Sequence, residues 1–98
     1  MAFNNKNNRI TVKGFLSTDI KPCENGYAIT FNLKVARPTE AGKRPFYDEF
    51  TIYVCDRQNV ANCSANLTQG MSVSVKGELR KWYDNSYKIC ASEVAPIW

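Results

Sequence analysis

Met71-Ser72-Val73-Ser74-Val75-Lys76-Gly77-Glu78-Leu79-Arg80-Lys81-Trp82-Tyr83 is the stretch whose reading decides the fold. Apolar residues fall on one parity (Val73, Val75, Leu79) with polar residues between them. That period of two belongs to a strand with one buried face. Gly77 interrupts the apolar series, and a glycine inside a strand marks a bulge or a barrel corner. The stretch therefore predicts a bent strand over 71–82 with Val73, Val75 and Leu79 inward.

Working outward, the period changes just before this strand. Val60, Cys63 and Leu67 recur at three and four residues, which predicts a short one-faced helix over 56–67. Asp56 is its expected N-cap, and Gly70 stands where a helix ends. Further back, Asp48, Phe50, Ile52 and Val54 alternate with Tyr47, Glu49, Thr51, Tyr53 and Cys55. Arg37 to Pro45, with two prolines and a glycine, reads as a long exposed loop. Ile29, Phe31, Leu33 and Val35 mark another strand, preceded by a turn at Asn25-Gly26. Ile10, Val12, Gly14 and Leu16 mark the first strand. Downstream, Asp84-Asn85-Ser86 turns the chain into a last strand over 87–94, which Pro96 ends. The order is β-β-β-α-β-β, an all-β chain. Short curved strands with a helix between strands three and four predict a five-stranded OB-fold barrel, whose closure removes exposed sheet edges.

The chain has 98 residues, read as one domain over 1–98 with 1–7 as a flexible lead. Thirteen Lys and Arg against nine Asp and Glu give a net charge of +4, which favours a polyanionic partner. No apolar run reaches membrane-spanning length and no signal core follows Met1, so a cytoplasmic protein is expected. Histidine is absent, which removes the usual general base, and Cys23, Cys55, Cys63 and Cys90 lack zinc spacing. No enzyme, metal or cofactor is predicted. The cysteines read as buried free thiols.

Three segments resemble the bacterial single-stranded DNA-binding protein (SSB) family. Asn8 to Leu16 resembles its opening strand, and Phe31-Asn32-Leu33-Lys34-Val35-Ala36-Arg37 its second. Leu67-Thr68-Gln69-Gly70 followed by Val73-x-Val75-Lys76-Gly77-Glu78-Leu79-Arg80 is the most specific of the three. The resemblance implies an OB fold that coats single-stranded DNA in replication, recombination and repair, assembled as a dimer or tetramer. It also implies an aromatic residue where Glu49 stands, a longer hairpin after the fourth strand, and an acidic tip that recruits replication proteins. These residues lack all three, so DNA coating or a short replication-accessory role is expected.

Binding without sequence preference requires stacking faces for bases and cations for phosphates. Arg80-Lys81-Trp82-Tyr83 sets cations beside aromatics, and Tyr47 and Tyr53 fall on the solvent parity of the third strand. Phe46 is a further contact candidate, with Lys13, Lys34, Arg37, Lys43, Arg44 and Lys76 as phosphate candidates. Each has a plainer alternative: Tyr53 packing under the loop, Trp82 in a subunit interface, Phe46 as a loop anchor, the cations as solvated surface. Phe15 suits either a dimer contact or the DNA face. Tyr27 and Tyr87 read as structural, and Trp98 as docked on the barrel. Two other functions fit the same residues: a protein-interaction module of a primosome-like complex, and a single-stranded RNA binder.

Overall fold

A computed structural model describes residues 7–23, 26–38 and 40–97. Expectations for Asn25, Trp98 and residues 1–6 lie outside these. The elements are β1 (Ile10–Leu16), β2 (Lys21–Pro22), β3 (Ile29–Ala36), β4 (Tyr47–Val54), α1 (Arg57–Asn66), β5 (Ser72–Lys81) and β6 (Tyr87–Pro96). Because the two-residue β2 adds to the count, α1 lies between the fourth and fifth strands rather than the third and fourth. Lys21 and Pro22 are both exposed and carry no alternation, which is why no strand is legible there.

The strands run in the order β1-β5-β6-β4-β3-β2, and β1 also pairs with β3. That extra pairing closes β1, β5, β6, β4 and β3 into a five-stranded barrel. All pairings are antiparallel except β4 with β6. This closed, mixed barrel with a single short helix is an OB fold. The alternation read from sequence fills its interior: Leu16, Phe31, Leu33, Ile52, Val54, Val73, Val75 and Ile89 are almost wholly buried.

Two glycines permit the closure. At Gly14, where β1 meets β3, a Cβ would stand 2.1 Å from the Lys34 carbonyl oxygen. At Gly77 it would stand 2.1 Å from the Cys90 oxygen. The register of β5 against β6 shifts between Lys76 and Gly77. Ser92 is the residue left over on β6; its hydroxyl donates to the Lys76 carbonyl (3.1 Å), and its own carbonyl accepts from Asn59 Nδ2 of α1 (2.8 Å). The bulge bends the strand pair and is stitched to the helix.

Three sequence expectations are corrected. Leu79 has inward parity but is 40% exposed. The β1 partners of β5 stop at Gly77, so Leu79 lies on a hairpin running past the barrel. There the Asn8 side chain substitutes for a strand, donating to the Leu79 carbonyl (2.9 Å) and accepting from its N–H (3.0 Å). Gly70 does not cap α1. The helix stops at Leu67, which turns extended and buries its side chain; Gly70, at φ +94°, instead shapes the turn into β5 and donates to the Leu16 carbonyl. Asp56 does cap the helix start, accepting from the Asn59 N–H at 3.1 Å. Finally, only Cys63 is buried, and burial pushes its thiol pKa up. Cys55 follows the last residue of β4 on the outward parity and is exposed.

Candidate nucleic-acid interface

The outward residues of β4 are Tyr47, Glu49, Thr51 and Tyr53, because Phe50, Ile52 and Val54 take the interior. Strand register extends this row sideways. Lys34 of β3 stands opposite both Phe15 and Glu49, Thr51 lies between Asn32 and Lys88, and Tyr53 lies between Thr30 and Cys90.

At one end of β4, Tyr53 meets Trp82 edge to face, with centroids 5.0 Å apart and planes at 62°. Trp82 in turn lies 6.4 Å from Tyr83, which is 96% exposed. Lys88 Nζ sits 4.6 Å from the Trp82 ring centroid, a cation–π contact. The hairpin holds these groups in place: the Trp82 N–H donates to the Ser86 carbonyl (2.7 Å), and Asn85 adopts φ 68°. Asp84 accepts from the Ser86 hydroxyl (2.6 Å) and N–H (3.0 Å), which holds its carboxyl below the usual carboxylate range. At the other end of β4, Phe15 and Tyr47 form a second edge-to-face pair at 5.7 Å and 79°. Phe46 beside it is exposed, and its carbonyl accepts from the Arg37 N–H. A polar centre separates the pairs: Thr51 Oγ1 donates to Asn32 Oδ1 (3.3 Å), and Asn32 Nδ2 donates to Glu49 Oε2 (2.9 Å).

The cations divide into two groups. Arg37 is held by Asp48 at 2.5 Å, and that hydrogen bond keeps Asp48 below the usual carboxylate range. Lys43 pairs with Glu40, Lys76 with Glu93 and Arg80 with Glu78. Lys34, Arg44, Lys81 and Lys88 make no ion pair with a described residue. Lys13 and Lys76 stand in rows across β1 and β5, a flank that β4 does not share. The structure thus brings Tyr53, Trp82, Tyr83 and Lys88 together, with Tyr47 at the far end, and leaves Lys13 and Lys76 apart; Lys81, opposite Tyr87, falls on the other face of the hairpin from Trp82.

Sequence reasoning missed Lys88, which reaches Trp82 only because β6 folds back on β5 and lies parallel to β4. It also missed the pairing of Phe15 with Tyr47. Tyr27 and Tyr87, read as structural, are 79% and 61% exposed. Tyr27 belongs to the loop between β2 and β3, and Tyr87 to the part of the hairpin that runs past the barrel. Among the described residues no cluster of three His, Cys, Asp or Glu side chains is placed to hold a metal. No described helix is long and apolar enough to cross a membrane.

No protein-family model matches the sequence, nor does any curated protein. Solved structures do. The small single-stranded DNA-binding protein of Streptomyces coelicolor superposes with a TM-score of 0.75 at 25% identity, covering 91% of this chain and 92% of its own. The Plasmodium falciparum SSB in complex with single-stranded DNA gives 0.75 at 25% identity, covering 99% of this chain and 100% of that one. The second single-stranded DNA-binding protein of Mycobacterium smegmatis gives 0.65 at 27% identity, over 91% and 87%. The chain is similar in fold to SSB-family proteins, as the sequence resemblance implies.

Proposed function

We propose that this chain binds single-stranded DNA, with little regard for sequence overall, along the outward side of β4. The observation that carries the reading is the cluster of Tyr53, Trp82, Tyr83 and Lys88 on an exposed barrel face. Rings accept any base because every base has a π-face, and an adjacent ammonium meets the phosphate that follows. The similar structures, a small single-stranded DNA-binding protein and an SSB in complex with single-stranded DNA, support the same reading. The role is binding rather than catalysis. In the cell it would protect exposed strands during replication, repair and recombination, with the nucleoid as its location and replication proteins as neighbours. A homo-oligomer, dimer or tetramer, belongs to the same proposal. The protein-module and RNA readings have no observation of their own to favour them.

The test is a tryptophan-fluorescence titration with poly(dT), with duplex DNA of equal length as control. Quenching by poly(dT) at micromolar protein, absent with duplex, is the expected result. Equal binding to duplex, or none to poly(dT), overturns the proposal. Size-exclusion chromatography with and without oligonucleotide reads the oligomeric state.

A further inference from the structure

The two ring pairs stand at the ends of β4, about 20 Å apart over six residues of strand rise. A single strand lying across both must pass Glu49, which is exposed between them. Glu49 cannot stack, and its charge repels phosphate. One favourable role toward nucleic acid is left to it: an ionised carboxylate accepts N–H groups and donates none.

The carboxylate is also held in position. Thr51 donates to Asn32, and Asn32 donates to Glu49 Oε2, a relay anchored on the adjacent strands β3 and β4. Lys34 stands opposite Glu49 in register without forming an ion pair with it, so the other oxygen is not taken up by a described cation. Bases of a single strand present their Watson–Crick edges. Guanine presents N1–H and the N2 amino group side by side, matching the two oxygens of a carboxylate in a bidentate pair. Thymine presents one N–H between two carbonyls, which oppose the carboxylate.

We propose that Glu49, oriented by Asn32 and Thr51, gives the face a local base preference: guanine between the two ring pairs, held through its N1–H and N2 amino group. This rests on the single-strand-binding reading above. The experiment compares thymidine oligonucleotides of equal length in which every third base is dG or deoxyinosine. The two purines stack similarly, but inosine lacks the N2 amino group. The full chain is expected to favour the dG oligonucleotide about fivefold, the lower end of discrimination by a bidentate base contact. Glu49→Gln and Glu49→Ala are both expected to remove that ratio while binding the inosine oligonucleotide at least as tightly, since a charge facing phosphate is gone. Equal binding of the two oligonucleotides by the parent, or a ratio unchanged in both variants, overturns this inference and leaves single-strand binding standing. Failure of the parent to bind either oligonucleotide overturns both.

Discussion

Salt titration of single-strand binding tests how the cations divide, and the structure gives the expected slope. Each phosphate neutralised on a single strand releases counterions worth about −0.7 in the slope of log K against log salt. A cation already paired with a carboxylate contributes little, because leaving its partner exposes an equal and opposite charge. Arg37, Lys43, Lys76 and Arg80 are paired in this way. Lys34, Arg44 and Lys88 are the unpaired cations on the side of β4, and their slope sums to about −2; Lys81 stands on the other face of its hairpin, opposite Tyr87. Over a fourfold change, from about 50 to 200 mM salt, affinity is then expected to fall roughly 20-fold. If the paired cations, Lys13 and Lys81 also engaged phosphate, the slope would approach roughly −6 and the loss would reach several thousand-fold. Fluorescence anisotropy of a labelled thymidine oligonucleotide separates these two outcomes easily. Lys88→Ala should make the slope shallower by about 0.7, whereas Arg37→Ala should leave it nearly unchanged. A parent slope steeper than about −5, or equal effects of the two substitutions, refutes the division of cations.

Three further outcomes are expected. Trp82→Ala removes the ring between Tyr53 and Lys88 and should weaken poly(dT) binding by about 1–3 kcal/mol, read by anisotropy because the reporting tryptophan is lost. Gly77→Ala forces a Cβ to within 2.1 Å of the Cys90 oxygen and 2.9 Å of the Ala91 Cα, both backbone atoms, so it should cost about 1–3 kcal/mol or more, seen as a lower melting temperature by circular dichroism. The Arg37–Asp48 pair holds the Asp48 carboxyl down, so its stabilising contribution is complete above the ordinary aspartate pKa and disappears as pH falls through the lowered value; an NMR titration should show that value rising in Arg37→Ala.

The barrel is legible in the sequence because its interior is built on parity. Phe31, Leu33, Ile52, Val54, Val73 and Val75 each occupy the alternate positions that a strand turns inward, and all are buried. The bend at Gly77 is legible for the same reason, since it is the one inward position in that series without a side chain. What parity cannot supply is where a strand leaves the barrel. Leu79 follows the inward rule and is still exposed, because β1 has ended beside it. Nor does parity mark β2, whose two residues bury nothing. Of the candidate site, Trp82 and Tyr53 are legible as outward aromatics, but their contact with each other is not.

That contact depends on a single register. Tyr53 and Trp82 are brought together because β6, paired antiparallel with the strand that leads to Trp82, also lies parallel to β4, with Tyr53 opposite Cys90 and Thr51 opposite Lys88. The register between β5 and β6 is in turn shifted at the Gly77 bulge, which is held to α1 through Ser92 and Asn59. Slipping β6 by one residue against β4 would turn Lys88 inward and Ile89 outward, since strand side chains alternate. The buried Ile89 therefore opposes any such slip, and the hydrophobic interior maintains the ammonium over the indole. The cluster proposed to bind bases is thus a consequence of core packing on the other side of the same strands. A substitution at Gly77 that leaves the barrel folded but shifts this register should uncouple Lys88 from Trp82 without touching either residue.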